Sequence, residues 1–316
     1  MIQIPEYLSR EAKAALKEYI SAQPGAPLPA PDDMRGWAKL HRENEAIWEK
    51  VNRAVVREYG PKISRREMGG VPVLEIWPKD YTESPNVLVY VHGGGYTMGS
   101  VKSSLVCSVP VANDTGLRVI SVEYTVAPRG KWQKATDQVV AVLEALSGDG
   151  LGHAQIAIYG DSAGGGLAAG SVLKMRDQGM EMPGVVVLWS PWSDITETGD
   201  SYHTLRSEDP LLDYALNLKN SADAYADPED QKHPYVSPVY GDYSRGFPPT
   251  QIQGGTKEIF LSNFIRHYQA LDDAGIPARL DLYDGMWHGF MGINHDLPES
   301  KVARQEMAEF LLRRAL

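Results

Sequence analysis

Apolar and polar positions alternate between two patterns along much of the chain. Short continuous apolar runs such as Val87–Val91 are typical of strands covered on both faces, and apolar residues spaced three and four apart predict the helices between them. This alternation indicates the α/β class, a mostly parallel sheet with helices on both faces. We predict strands at residues 63–68, 73–77, 87–91, 118–122, 155–159, 185–188, 250–253 and 278–282, and helices at 6–21, 32–58, 102–114, 133–147, 163–178, 257–274 and 298–315.

Two regions lie outside the alternation. Residues 1–58 are helical in pattern and precede the first strand, and residues 192–246 are rich in tyrosine and aspartate and carry no strand signal. Ligands bind open parallel sheets at the carboxyl ends of the strands. Both regions are therefore candidates for a lid over that edge.

The composition excludes several classes of protein. The chain has 316 residues, 43% of them hydrophobic, and a formal net charge of −10, which disfavours nucleic acids and anionic membranes as partners. Cys107 is the single cysteine, so no internal disulfide forms and a reducing compartment is tolerated. The first 20 residues lack the apolar core of a secretion signal, and the longest uncharged run contains proline, histidine and glycines. We expect a cytoplasmic protein with no membrane span.

A candidate nucleophile follows the strand at 155–159. Gly160–Gly164 read Gly-Asp-Ser-Ala-Gly, a G-x-S-x-G match, and a helix is predicted immediately afterwards. Small residues permit a sharp turn that holds the Ser162 hydroxyl at the sheet edge, above a helix N-terminus. The alternative is a serine that only caps a helix after a glycine turn. The strand before and the helix behind favour the nucleophile.

A glycine-rich loop follows the strand at 87–91. His92 is followed by Gly93, Gly94 and Gly95, and three consecutive glycines are costly to order unless the backbone must approach something closely. A tetrahedral intermediate on Ser162 needs such N–H donors. We assign this role to Gly94, Gly95 and the residue after the nucleophile, Ala163, and expect His92 to brace the loop. A merely flexible loop is the alternative.

The general base is sought among histidines that follow the late strands, because a G-x-S-x-G serine between a strand and a helix is followed along the chain by its acid and then its histidine. His267 falls within a predicted helix, where packing is the default role, and His295 precedes the final helix, where capping is. His288 lies between glycines just past the strand at 278–282, at the catalytic edge. We therefore predict His288 as the base.

Three carboxylates are candidates for the acid that orients the base. Glu258 heads the predicted helix after the strand at 250–253, where a first-turn glutamate favoured by the helix dipole is the simpler explanation. Asp194 is the main alternative, one strand earlier, and Asp284 lies very close to His288 along the chain. We favour Glu258.

These motifs together resemble the hormone-sensitive-lipase-like esterases of the α/β-hydrolase fold, over about residues 60–315. The resemblance is carried by HGGGY at His92–Tyr96, EYTVAP at Glu123–Pro128, GDSAGG at Gly160–Gly165, SPWSD at Ser190–Asp194 and GMWH at Gly285–His288. Glu123 and Thr125 stand where the family more often has Asp and Arg, and the acid string begins with Glu258 where the family usually has aspartate.

The resemblance implies an activity and an organisation. The activity is hydrolysis of short- to medium-chain carboxylic esters without a cofactor, and homodimers are frequent in the family. Residues 59–191 and 247–316 would form the catalytic domain, and 1–58 with 192–246 a helical cap. Matched by motif, the catalytic residues would be Ser162, Glu258 and His288, the oxyanion donors Gly94, Gly95 and Ala163, and the supporting residues His92, Gly93 and Asp161.

Other functions use the same residues or fewer of them. An acyltransferase or amidase would employ the same serine, histidine and acid, and sequence does not separate them. A small-molecule-binding protein on a hydrolase scaffold would need a broken set of catalytic residues, whereas the serine and histidine are both present. The chain carries no His-Glu-x-x-His motif or cysteine pair, so we predict no metal site.

Overall fold

The strands of the computed structural model, which describes residues 2–22 and 27–314, form one eight-stranded sheet in the order β1-β2-β4-β3-β5-β6-β7-β8. The strands are β1 (Lys62–Met68), β2 (Val71–Trp77), β3 (Val87–Val91), β4 (Arg118–Val122), β5 (Ile156–Asp161), β6 (Val185–Trp189), β7 (Thr250–Gly255) and β8 (Ala278–Tyr283). The first two form an antiparallel hairpin, and β2 pairs antiparallel with β4. All remaining pairs are parallel, so the predicted α/β class and mostly parallel sheet are confirmed.

The helices connect and cover the strands. They are α1 (Arg10–Ser21), α2 (Met34–Tyr59), α3 (Leu105–Thr115), α4 (Trp132–Gly148), α5 (Ala163–Asp177), α6 (Ser201–Thr204), α7 (Lys219–Tyr225), α8 (Leu261–Asp273), α9 (Phe290–Ile293) and α10 (Pro298–Leu312). No helix within residues 2–22 and 27–314 combines the length and the apolar character needed to cross a bilayer.

Alternate residues of β3 contribute to separate hydrophobic clusters. Val87, Val89 and Val91 pack in one cluster, and Leu88 and Tyr90 pack in the other. All five are buried, as the continuous apolar run predicts for a central strand covered on both faces. Two layers of helices on one sheet follow from this pattern.

The register of β3 and β5 positions the two candidate loops. Val91 lies opposite Gly160, so the loop that begins at His92 and the turn that contains Ser162 leave neighbouring strands at the same sheet edge. The parallel pairing of these two strands therefore brings the glycine loop and the serine together.

Residues 192–246 connect β6 to β7 and contain α6, α7 and short irregular helical turns. None of these residues, all of which the structure describes, belongs to a strand of the sheet, in agreement with the missing strand signal. At the other end of the chain, Asn52 of α2 donates to the carbonyls of Lys102 and Ser103 and accepts from the N–H of Val106. The helix is thereby fixed to the start of α3.

Four helices begin later than the patterns predict, and α1 and α8 do so by four residues each. The first starts at Arg10 because the Ser9 hydroxyl caps it by accepting from Ala12 N–H at 3.0 Å. The helix predicted from residue 257 starts at Leu261, since the N–H groups of residues 256 and 257 do not join a helix. They donate to the carbonyls of Tyr283, the last residue of β8, and of Met286. Glu258 thus lies in a turn before α8, and its prediction as a first-turn helical residue is wrong. The predicted end of the last helix, residue 315, lies outside the described residues.

Candidate active site

Ser162 occupies a strained turn between β5 and α5. Its φ is 54° and its ψ −123°, a backbone conformation that residues other than glycine rarely adopt. Its N–H donates to the carbonyl of Trp189 at 2.8 Å. A Cβ on Gly164 would lie far inside van der Waals contact with the Val91 carbonyl, and one on Gly160 would meet the Gly164 carbonyl in the same way. The small residues of the motif are therefore required by close backbone packing.

A chain of hydrogen bonds joins Ser162 to His288 and Glu258. The imidazole Nε2 of His288 lies 2.9 Å from Ser162 Oγ, and its Nδ1 lies 2.8 Å from Oε2 of Glu258. Because an ionised carboxylate only accepts hydrogen bonds, Nδ1 carries the proton and Nε2 is free to accept one from the serine. Glu258 is fully buried and His288 nearly so.

The other oxygen of Glu258 is held by two donors. Oε1 accepts from the Gly255 N–H at 2.5 Å and from Ser190 Oγ at 2.8 Å. The Ser190 hydroxyl itself accepts from Gly289 N–H at 3.0 Å, so it links the carboxylate to the residue after His288. Sequence reasoning assigned Ser190 no role; its place directly after β6 was the available signal.

Burial alone would lower the pKa of His288, since it penalises the imidazolium cation. The hydrogen bond to Glu258 and the negative charges of Glu258, Asp209 and Asp161 outweigh this effect and raise the pKa above its ordinary value. The site therefore stabilises a positive charge on the imidazole.

The glycine loop is fixed to the nucleophile turn by Asp161. Its Oδ1 accepts from Gly93 N–H at 2.9 Å and from the hydroxyl of Tyr90 at 2.6 Å. Gly94 and Gly95 have φ of 106° and 61°, which disfavour any residue with a side chain. All of these residues line the cavity that contains Ser162, whereas Ala163 is buried behind it as the first residue of α5. The amide of such a first residue has no intrahelical acceptor.

His92 lies inside the loop and not beside the serine. Its ring stacks on that of Tyr124, with the centroids 4.2 Å apart, and its Nδ1 lies 2.8 Å from the Gly93 carbonyl. Burial lowers the pKa of His92 to about 4, so the ring is neutral at neutral pH. These contacts brace the loop.

The alternative acids have other partners. Asp194 is buried and accepts from Arg266 Nη1 at 2.7 Å and from Tyr240 OH at 2.8 Å. Asp284 accepts from Tyr7 and Thr256 at the surface. Both carboxylates are committed to contacts away from the hydrogen-bond chain of His288.

The alternative histidines also lie elsewhere. His267 is buried within α8, where its Nδ1 lies 2.8 Å from Ser193 Oγ and its Nε2 2.7 Å from Tyr243 OH. His295 lies near Glu58 of α2, with 3.6 Å between Nε2 and Oε2. Of the three histidines considered, His288 is the one in hydrogen-bond contact with Ser162.

The cavity in front of Ser162 has a volume of about 300 Å³. One wall comes from Asn44 and Trp48 of α2, and another from Leu212 and Leu218 of the 192–246 segment. Apolar side chains such as Trp48, Leu212 and Leu218 line these walls together with the polar Asn44 and Asn217, and Ser162 and His288 line the same cavity. A small apolar group attached to a carbonyl fits such a site.

Comparisons with known proteins agree with this geometry. Residues 88–292 match the model of a family described by the α/β-hydrolase fold. An esterase of Acinetobacter venetianus is 32% identical over 73% of this chain and 76% of its own, and an acetyl-hydrolase of Streptomyces hygroscopicus is 32% identical over 74% and 78%. The crystal structure of esterase E25 is similar with a TM-score of 0.90 at 27% identity, over 99% of this chain and 96% of that one. An esterase from the bacterial hormone-sensitive lipase family has a TM-score of 0.83 at 28% identity, over 97% and 98%. The chain therefore belongs to the hormone-sensitive-lipase-like esterase family of the α/β-hydrolase fold, as its motifs predict.

Proposed function

We propose that this protein is a serine carboxylesterase that hydrolyses short- to medium-chain esters through an acyl-enzyme on Ser162. The observation that carries the proposal is the unbroken hydrogen-bond chain from Ser162 through His288 to the buried Glu258, with distances of 2.9 and 2.8 Å. The apolar cavity of about 300 Å³ supports a small acyl group, and so does the acetyl-hydrolase among the relatives.

In the proposed mechanism, His288 Nε2 takes the proton of Ser162 Oγ as the oxygen attacks the ester carbonyl. Glu258 keeps the imidazole in the required tautomer and stabilises its cation. The N–H groups of Gly94, Gly95 and Ala163 stabilise the oxyanion. His288 then protonates the leaving alcohol, and water, activated by the same imidazole, releases the acid from the serine.

Residues 1–58 and 192–246 act in this proposal as a cap over the catalytic domain, residues 59–191 and 247–316. The support is that Trp48 of the first segment and Leu212 of the second line the cavity of Ser162. Two further expectations stay predictions. The first is a homodimer, which light scattering checks. The second is a cytoplasmic location, which agrees with Cys107 being a free thiol and which cell fractionation checks.

The primary test is the variant Ser162→Ala, assayed with p-nitrophenyl acetate and p-nitrophenyl butyrate. We expect turnover to disappear because no nucleophile remains. Ser244→Ala is the matched control, since Ser244 is exposed and bonded only within its own turn in the described contacts. Undiminished turnover by Ser162→Ala would refute the proposal.

A second test ranks the candidate acids. Glu258→Gln should lower kcat by orders of magnitude, because the amide can present a donor to Nδ1 and favour the wrong tautomer. Asp194→Asn should have a milder effect on kcat, since Asp194 is bonded to Arg266 and Tyr240. The opposite ranking would reassign the acid to Asp194.

A further inference from the structure

Asp209 is a buried carboxylate that the mechanism above does not use. It lies in the 192–246 segment, is 7% exposed, and accepts three backbone hydrogen bonds. Burial raises its pKa to about 6 in spite of these donors, which indicates how fully it is removed from water. Its three backbone hydrogen bonds replace the hydration that burial removes.

The two oxygens of Asp209 bind different parts of the molecule. Oδ1 accepts from the N–H groups of Leu211 and Leu212, both at 2.9 Å, and so closes the turn that carries Leu212 into the cavity wall. Oδ2 accepts from the N–H of Ile259 at 2.9 Å, the residue after Glu258. Asp209 thereby joins the wall of the substrate cavity to the acid loop, residues 256–260, which contains Glu258.

Other residues of the same segment hold that loop as well. Ser201 Oγ donates to the Ile259 carbonyl at 2.6 Å, so both backbone groups of Ile259 are bonded to residues of the 192–246 segment. Glu208 pairs with Lys257, the residue before Glu258, with 3.0 Å between Oε2 and Nζ. The 192–246 segment, which also lines the cavity, therefore holds the acid loop in place.

Asp209 also acts on the imidazole through its charge. The negative groups around His288 are Glu258 from the loop before α8, Asp161 from the end of β5 and Asp209 from the 192–246 segment. Glu258 is hydrogen-bonded to the ring, whereas Asp209 acts without direct contact. Its charge favours the imidazolium that forms as Ser162 attacks.

We propose that Asp209 is a positioning residue for ester hydrolysis, which fixes the backbone of the acid loop to the cavity wall and adds a further negative charge to those that favour the imidazolium. The inference rests on the proposed function. It assigns to the 192–246 segment a part in the reaction besides covering the substrate.

The test is Asp209→Asn with p-nitrophenyl butyrate, followed as kcat, KM and the pH dependence of kcat/KM. Asparagine retains an acceptor for the turn but loses the charge and presents a donor toward Ile259 N–H. We expect kcat to fall about tenfold or more with KM within about twofold, since the reacting groups are misaligned and the cavity is kept. The acid limb of kcat/KM should move to lower pH, because loss of a nearby negative charge lowers the pKa of His288.

Two further variants make the result specific. Asp227→Asn removes a charge from the same segment, where Asp227 is exposed and paired with Lys131, and should change neither kcat nor the acid limb. Ser201→Ala removes the other bond to Ile259 without a change of charge, and should lower kcat while the acid limb stays in place. If Asp209→Asn does not fold, Ser201→Ala alone tests whether the 192–246 segment positions the acid loop.

The outcomes separate this inference from the proposed function. If wild-type hydrolysis does not depend on Ser162, the proposed function fails. If it does depend on Ser162, and Asp209→Asn keeps both its kcat and its acid limb, only the role of Asp209 is overturned. Unchanged kcat in Ser201→Ala overturns the inference that the 192–246 segment positions the acid loop for the reaction.

Discussion

Ser190 donates a hydrogen bond of 2.8 Å from its Oγ to Oε1 of Glu258, although Ser190 itself has a φ of 43°. A residue with a side chain in this conformation is strained, and such strain persists where the surrounding structure holds it. The strained backbone directs the hydroxyl to the one carboxylate oxygen that the imidazole does not occupy.

Ser190→Ala should therefore lower kcat about tenfold, because Glu258 loses a donor and becomes less well oriented. The buried N–H of Gly289 also loses its acceptor, at a cost of about 1–3 kcal/mol in unfolding free energy. Steady-state kinetics and urea unfolding measure the two effects. A variant with wild-type kcat would show that Gly255 N–H alone suffices to orient Glu258.

Gly164→Ala should destabilise the protein by roughly 1–3 kcal/mol or more, because the added methyl would collide with the Val91 carbonyl. Gly148→Ala makes the same change in the last turn of α4, where a Cβ meets open space, and should be neutral or slightly stabilising. Thermal unfolding of both variants compares them directly. Equal melting temperatures would contradict the close approach of α5 to β3.

The free energy of unfolding should decrease as the pH is lowered, and His267 should contribute to this decrease. Burial lowers its pKa to about 3 from an ordinary value of 6.5, so the folded protein holds the ring neutral. Below pH 6.5 the unfolded chain binds a proton there that the folded chain does not, and unfolding becomes easier as the pH falls toward 3. The slope from this residue is at most about 1.4 kcal/mol per pH unit.

His267→Gln removes this titration. Urea unfolding of the wild type and the variant between about pH 6.5 and 4 should give a flatter dependence for the variant, whatever its stability at neutral pH. Parallel curves for the two proteins would mean that His267 is protonated equally well in the folded and unfolded states.

Trp48→Ala should extend the range of acyl chains that the enzyme accepts. Trp48 lines the cavity, and its removal opens space for further methylenes, so the kcat/KM ratio of p-nitrophenyl octanoate to acetate should rise about threefold to tenfold. Ile47→Ala is the control, since the neighbouring Ile47 is 69% exposed and outside the cavity lining. An unchanged ratio for Trp48→Ala would place the acyl chain elsewhere.

The strands were predictable where burial determines the residue pattern. The bounds of β3 and β4 agree with the predicted ones, because a strand covered on both faces is largely apolar. β3 is apolar throughout, and β4 departs from this only at Arg118 and Ser121. The turn around Ser162 was predictable for a similar reason, since close packing at Gly160 and Gly164 excludes side chains there.

The surroundings of Glu258 were not predictable from the pattern. Apolar spacing around residues 257–274 indicates a helix throughout, yet the backbone of residues 256–257 bonds to Tyr283 at the end of β8 and to Met286 beyond it. Contacts between segments so far apart in sequence leave no local periodicity. The same holds for the contact of Ser190 with Glu258 and for that of Asp209 with Ile259, which join residues 68 and 50 positions apart.

The residues that meet at the site are spread along the chain in the order serine, acid, base, and His288 comes after β8, the last strand of the sheet. A polypeptide still being synthesised contains Ser162 and Glu258 before it contains the imidazole of His288. The hydrogen-bond chain that joins the three side chains can therefore form only after β8 has been synthesised.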